Sequence, residues 1–227
     1  MIIPKQTFPF YGIILLISIV ISLFYIYRML KKENINNKNI YLYILLYGLF
    51  AIVFGKFYTM ITSNEYNILK AGLSSYGGLI GVMLASIIFE LIVPTNKKII
   101  KYTIISLPLT YGIGKIACFI AGCCYGIPYN GIFNVIYRDG LNIPLFPIQL
   151  LESIVFIIIF IIANKLRNNK NVIYITVLVS ILMKFLLDFL RYEHIKRVLS
   201  VNQIFSIILL VVLIIVYIFN RKQKKAQ

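Results

Sequence analysis

The sequence predicts an all-α integral membrane protein with about seven transmembrane helices, and three observations support this. Hydrophobic residues make up 60% of the 227 residues, and the mean hydropathy is +0.90, well above that of ordinary soluble domains. Apolar runs of about 18 to 22 residues recur, each long enough to cross a hydrocarbon core of about 30 Å. The polar stretches between them are too short for a soluble domain, so residues 1–227 are interpreted as a single transmembrane domain.

The first apolar run covers residues 10–27 and could be mistaken for a signal peptide, because Lys5 precedes it. It is long, is followed by Arg28, Lys31 and Lys32, and lacks a small-x-small cleavage site, so we expect it to remain as a membrane helix. The other runs lie near residues 40–61, 73–93, 99–120, 147–164, 172–190 and 201–219.

The basic residues between the runs predict the orientation. Most of the 23 Lys and Arg fall in alternate loops, which the positive-inside rule places in the cytoplasm. The N-terminus is therefore expected outside and the C-terminus inside. Because the charges lie in short clusters between apolar runs, they do not form a nucleic-acid-binding face. The cytoplasmic set is Arg28, Lys31, Lys32, Lys38, Lys97, Lys98, Lys101, Lys165, Arg167, Lys170, Arg221, Lys222, Lys224 and Lys225, and the external set is Lys5, Lys70, Arg138, Arg191, Lys196 and Arg197.

The cysteines and the single histidine give little support for metal or disulfide chemistry. Cys118, Cys123 and Cys124 are odd in number and include an adjacent pair, which fits neither a disulfide framework nor a four-ligand zinc site. We expect them to be small packing residues, although Lys115 precedes Cys118 by three residues and could activate a thiol. No metal and no organic cofactor is expected, and His194 is interpreted as a solvated loop residue.

Three lysines within the apolar runs are the sharpest functional signals. A lysine costs roughly 2.5 to 3.5 kcal/mol at membrane depth, so it requires an anionic partner or a polar cavity. Lys184 has Asp188 four residues later and is expected either to pair with it or to hold a ligand phosphate. Lys115 lies within YGIGKIACFIAGCCYG at 111–126 and has no such neighbour. Its expected partner is therefore a ligand phosphate or a distant glutamate. Lys56 is near a helix end, where the ammonium group could reach the interface.

Further candidates cluster toward the predicted outer side. In SSYGGLIG, Gly77 and Gly78 favour close helix packing, and the Tyr76 phenol could either bind a phosphate or anchor the helix at the interface. In FPIQLLE, Gln149 and Glu152 share a helix face, where a buried carboxylate could meet one of the lysines. Asp188 and Arg191 form a second polar face, and the long outer segment 122–146 is typical of functional loops.

These motifs together resemble those of the prolipoprotein diacylglyceryl transferase family over nearly the whole chain. Where the family has two headgroup arginines this chain has lysines, Tyr76 replaces a histidine, and Cys118 and Ala121 replace asparagines. The matching segments are Tyr11–Gly12, Gly55–Tyr58, Tyr76–Leu79, Gly114–Gly122, Phe146–Glu152, Lys184 with Phe185, Asp188 and Arg191, and Gln203 with Ser206.

The resemblance implies transfer of a diacylglyceryl group from phosphatidylglycerol to the lipobox cysteine in the signal peptide of a prolipoprotein, at the outer face of the bacterial plasma membrane. It implies catalytic roles for Tyr76, Lys115 and Lys184. Two alternatives are a paralogue that acts on another acceptor and a non-enzymatic carrier of anionic lipids. The substrate-binding residues that it implies are Tyr11, Lys56, Gly77, Gly78, Gly114, Cys118, Gly122, Gln149, Glu152, Asp188 and Arg191.

Overall fold

The computed structural model describes residues 2–3, 9–63, 67, 73–137, 141–195 and 198–225. Over these residues the chain is mostly helical, and two short strands, β1 (Ile2–Ile3) and β2 (Ile136–Tyr137), pair in parallel. The seven α-helices are α1 (Pro9–Lys32), α2 (Asn37–Ser63), α3 (Ser75–Ile92), α4 (Lys98–Ala121), α5 (Ile148–Lys165), α6 (Val172–Asp188) and α7 (Val201–Lys225).

The prediction of an all-α membrane protein with seven helices is confirmed. In the described part of the chain, α1, α2, α4, α5 and α7 are each long and apolar enough to cross a membrane, and α3 contributes a shorter apolar helix. The basic residues Lys5, Lys70, Arg138, Lys196 and Arg197, which entered the prediction of orientation, lie outside the described residues.

The chain forms two compact units, one made of residues 1–20 and 107–227 and the other of residues 21–106. We call them the larger unit and the smaller unit. The interpretation of residues 1–227 as one transmembrane domain stays a prediction.

In the smaller unit, glycines allow α3 to approach α2 closely. A Cβ atom at Gly77 would lie 2.2 Å from the carbonyl oxygen of Phe54, and one at Gly81 would lie 2.2 Å from that of Phe50. Because both obstacles are backbone atoms, neither position accommodates a side chain unless the helices separate. The expectation that small residues pack these helices is therefore confirmed at Gly77 and Gly81.

We expect Gly81→Ala to destabilise the smaller unit, because its added methyl group would push α3 away from the Phe50 carbonyl. The matched control is Gly48→Ala in α2, where a Cβ atom would meet nothing within 4 Å. There the loss of glycine flexibility should be neutral or stabilising by about 0.5 to 1 kcal/mol. Thermal unfolding in detergent micelles measures the difference, and equal unfolding temperatures for the two variants would contradict the prediction.

In the larger unit, α4 approaches α5 closely at Gly112. A Cβ atom at Gly112 would lie 3.0 Å from the carbonyl oxygen of Ser153 and 2.9 Å from Ile157 Cγ1. Lys115 is three residues after Gly112, and Glu152 directly precedes Ser153. The close approach at Gly112 therefore brings the two charged side chains to the same level of the unit. Helix α5 also contacts α6, and α6 contacts α7.

Candidate functional site

Glu152 of α5 is the centre of a buried cluster of charges in the larger unit. Its side chain is fully buried. The Nζ atom of Lys115 lies 3.0 Å from Oε2, and that of Lys184 lies 2.8 Å from Oε1. Arg191 Nη2 donates to both carboxylate oxygens, at 2.9 and 2.8 Å. One carboxylate therefore holds three cations, which come from α4, α6 and the segment after α6.

Asp188 is the second carboxylate of the cluster and is also fully buried. Its Oδ1 atom lies 3.5 Å from Lys184 Nζ and 3.1 Å from Arg191 Nε. Its Oδ2 atom accepts a short hydrogen bond from Ser200 Oγ. Asp188 thus links two of the three cations to the start of α7.

The cluster carries more positive than negative charge. Lys115, Lys184 and Arg191 bring three positive charges, while Glu152 and Asp188 bring two negative charges. Lys115 and Arg191 are 7% and 5% exposed, so water screens them poorly. One positive charge thus stays unbalanced within the cluster, which favours an anionic ligand.

Tyr111 is a member of the cluster that the sequence analysis missed as a site residue. Its hydroxyl donates to Glu152 Oε1 at 3.1 Å. The centre of its ring lies 5.0 Å from Lys115 Nζ and 5.5 Å from Lys184 Nζ, within the range of cation–π contacts. The available signal was its spacing, because Tyr111 precedes Lys115 by four residues and so shares its helix face.

Backbone pairing fixes the position of Arg191. Gly126 and Arg191 form an antiparallel bridge, with hydrogen bonds of 3.0 Å from Ile127 N to Leu190 O and from Tyr192 N to Tyr125 O. Burial disfavours the charge on Arg191, but the Glu152 carboxylate outweighs this effect and keeps the pKa of the guanidinium above its ordinary value. Arg191 is therefore a permanent cation at this position.

A capping box at the start of α7 orients Asp188. Gln203 N donates to Ser200 Oγ, and Ser200 N donates to Gln203 Oε1, both at 3.1 Å. This reciprocal Ser-x-x-Gln pattern satisfies two backbone donors at the helix start. Because the same Ser200 hydroxyl also donates to Asp188, the cap holds that carboxylate in place.

Gln149 is buried one turn before Glu152. Its Nε2 atom donates to the carbonyl oxygen of Cys123 at 2.6 Å and lies 3.4 Å from Tyr137 Oη. Its Oε1 atom is buried and has no hydrogen-bond partner among the described residues. A buried acceptor in this position is available to a ligand hydroxyl or amide group.

The other predicted residues of the larger unit lie on α1 and in the second half of α4 or just after it. Tyr11 is half-buried near the start of α1. A Cβ atom at Gly114 would lie 3.4 Å from Leu15 Cδ2 of α1. Gly122 has φ of +62°, a backbone conformation that favours glycine, and Cys118 is 9% exposed.

The smaller unit contains the remaining predicted site residues. Tyr76 is half-buried, and its ring centre lies 6.3 Å from that of Tyr58. Lys56 of α2 is half-buried, and Gly77 packs against α2 as described above. Gly78 has more space, since a Cβ atom there would lie 3.7 Å from the carbonyl oxygen of Ala51.

The structure corrects two expectations about single residues. His194 is not solvated, because its side chain is 9% exposed and its Nε2 atom lies 3.6 Å from Asp188 Oδ2. The 3₁₀ turn Tyr192–Ile195 folds it back toward that carboxylate. Cys124 is not a buried packing residue, since it lies exposed in the turn after α4. Lys115 was expected to pair with either a ligand phosphate or a distant glutamate. In the structure its partner is a glutamate, Glu152.

The chain is similar to known proteins over almost its whole length. The family model described as prolipoprotein diacylglyceryl transferase matches residues 1–219. The phosphatidylglycerol–prolipoprotein diacylglyceryl transferase of Clostridium tetani is 25% identical over 95% of this chain and 94% of its own length. That of Clostridioides difficile is 32% identical over 78% of this chain and 73% of its own length. Transferase 2 of Clostridium perfringens is 28% identical, over 64% of this chain and only 59% of its own length.

Proposed function

We propose that this chain, which belongs to the prolipoprotein diacylglyceryl transferase family, transfers the diacylglyceryl group of phosphatidylglycerol to the lipobox cysteine of a prolipoprotein. The observation that carries the proposal is the surplus positive charge of the buried cluster around Glu152. The phosphate of phosphatidylglycerol would balance that charge. The names of the relatives identify the same donor and the same class of acceptor for those proteins.

The proposed reaction exchanges one bond for another. The acceptor sulfur attacks the carbon of the diacylglyceryl group that carries the phosphate ester. A carbon–sulfur bond forms there, and the bond between that carbon and the phosphate oxygen breaks. Glycerol phosphate leaves with the electron pair, so negative charge develops on the departing phosphate. Fixed cations stabilise developing charge most effectively in a water-poor site, a role that we assign to Lys115, Lys184 and Arg191. In this scheme Glu152 and Asp188 are positioning residues that hold the cations.

Tyr76 is proposed to receive the thiol proton, because it stands where the family's histidine would be. Only the phenolate form of a tyrosine can accept this proton, and with an ordinary pKa of about 10 that form is scarce at neutral pH. Transfer should therefore depend strongly on the fraction of acceptor already present as thiolate. We assign Lys56, Gly77 and Gly78 to substrate binding by resemblance alone.

The remaining residues of the larger unit are assigned to the headgroup. Gln149 offers an unpartnered buried oxygen that suits a glycerol hydroxyl. Tyr11 of α1 and Gly114 and Cys118 of α4 are assigned to headgroup binding by resemblance. Gly122 allows the turn that ends α4.

We place the protein in the bacterial plasma membrane with the N-terminus outside, the C-terminus in the cytoplasm and the site facing outward. The distribution of Lys and Arg among the loops supports this orientation. An outward site would meet secreted precursors as they emerge, and acyl chains would remain in the bilayer.

The proposal is tested with purified protein in vesicles that contain phosphatidylglycerol, supplied with a peptide that bears a lipobox cysteine. We expect a thioether-linked diacylglyceryl peptide, detected by mass spectrometry, and no product with a peptide in which serine replaces the cysteine. If the protein binds or moves labelled phosphatidylglycerol without forming product, the carrier alternative replaces the proposal. Product on another acceptor only would identify a paralogue.

A further inference from the structure

The turn that ends α4 brings the three cysteines of the chain together. The sulfur atoms of Cys118, Cys123 and Cys124 all lie within 4.8 Å of one another. The sequence contains only these three cysteines, and all are free thiols. Their spacing, C-x₄-C-C, does not match a four-ligand zinc motif, so counting cysteines and their spacing does not predict a cluster.

The helix end explains why the sulfurs meet. Cys123 N donates to the carbonyl oxygen of Cys118 at 3.1 Å, Gly122 N donates to that of Phe119 at 3.3 Å, and Gly122 has φ of +62°. These bonds form a Schellman motif, in which the side chain two positions past the helix end meets the side chain of the last turn. Here the side chains that meet are Cys123 and Cys118.

The third sulfur comes from an unusual backbone conformation. Cys124 has φ of +57°, a region that residues other than glycine rarely adopt. The segment is held by Gln149, whose amide donates to the Cys123 carbonyl at 2.6 Å. Cys124 is exposed and Cys118 lies at the buried end of the cluster, so a solute can enter from one side.

We propose that Cys118, Cys123 and Cys124 form a three-thiolate site for one soft, thiophilic cation, Zn²⁺ or Cu⁺. Thiolate ligands select these cations over Mg²⁺ or Ca²⁺. A metal–sulfur distance of about 2.3 Å in a trigonal arrangement requires sulfur separations of about 4 Å. The observed separations, none above 4.8 Å, are compatible with this value after small side-chain rotations.

The surrounding charge suits the occupied site. Three thiolates with Zn²⁺ carry a net charge of −1, and with Cu⁺ a net charge of −2. Lys115 precedes Cys118 by three residues on α4, and the charged cluster to which it belongs has a surplus positive charge. The occupied site would draw on the same surplus charge that the proposed function assigns to a phosphate, and Cys118 would then bind the metal and not the lipid headgroup. The metal titration needs neither lipid nor acceptor, so failure of the metal site and failure of transfer are measured separately.

The test uses the full-length protein in detergent, reduced under anaerobic conditions and titrated with Cd²⁺ as a spectroscopic probe. We expect one Cd²⁺ per chain with a sulfur-to-metal charge-transfer band. Zn²⁺ or Cu⁺ should displace it, and the two competition titrations decide which of them the site prefers. The Cys124→Ser variant should bind at least about tenfold more weakly, since even changes next to a ligand cost about 10- to 100-fold.

The baseline for the charge-transfer band is the triple variant Cys118→Ser, Cys123→Ser, Cys124→Ser, in which no thiol remains. If that variant misfolds, wild-type protein alkylated at its thiols serves the same purpose. The proposal is overturned by a band no stronger than this baseline, by unchanged affinity in Cys124→Ser, or by one Cd²⁺ shared between two chains.

Discussion

Glu152→Gln is expected to abolish transfer and to lower stability more than any other single change in the cluster. The amide would no longer neutralise Lys115, Lys184 and Arg191, and only Asp188 would remain as a counter-charge. Removing one partner from a buried ion pair costs about 3 to 5 kcal/mol. For a chain of this size, that corresponds to a fall of more than about 6 °C in unfolding temperature. Calorimetry in detergent and the vesicle assay measure the two effects.

Glu193→Gln is the matched control, because Glu193 is an exposed carboxylate only two residues from Arg191. It should leave both the unfolding temperature and the transfer rate unchanged. A Glu152→Gln protein that unfolds and transfers like wild type would show that the three cations do not need this carboxylate, which would remove the basis for treating Glu152 as the organising residue.

Hydropathy predicted the helices well but not their ends. The run predicted at 40–61 is α2, Asn37–Ser63, and the run predicted at 201–219 continues as α7 to Lys225. The length of an apolar run indicates how many residues lie within the bilayer. The helix itself can continue through polar residues outside the bilayer. The run predicted at 147–164 is α5, Ile148–Lys165, and Pro147 is its N-cap.

The local part of the site was predictable and the long-range part was not. Spacing along one helix indicated the pair Lys184 and Asp188, and the shared face of Gln149 and Glu152. The contacts of Glu152 join residues that are 32 and 39 positions apart, and periodicity contains no information about such pairs. His194 illustrates the same limit, because a polar loop residue was brought back against Asp188 by the turn after α6.

The cysteine cluster was missed for a different reason. Its three sulfurs are close in sequence, but they meet only because Gly122 and Cys124 both adopt positive φ. Counting cysteines and their spacings does not reveal the backbone conformation of a helix end. A glycine followed directly by two cysteines after an apolar helix was the one available signal.

Lys115→Ala is expected to reduce transfer by about 100- to 1,000-fold, the typical cost of losing one preorganised group that stabilises developing charge. Without Lys115 the cluster has two cations against two carboxylates, so no positive charge is left for a phosphate. Lys115→Arg should retain transfer, because it keeps the charge and restores the residue that the family uses. Rates measured over a range of phosphatidylglycerol concentrations report the effect, with Lys170→Ala as the exposed control.

The same pair of variants separates headgroup chemistry from simple structural pairing. If Lys115 served only to neutralise Glu152, its loss would have little effect, because Lys184 and Arg191 would still hold that carboxylate. Lys115→Ala would then fold and transfer nearly normally. If Lys115 instead supplies the charge that phosphate requires, Lys115→Ala folds but transfers slowly, and Lys115→Arg restores the rate without a matching gain in stability.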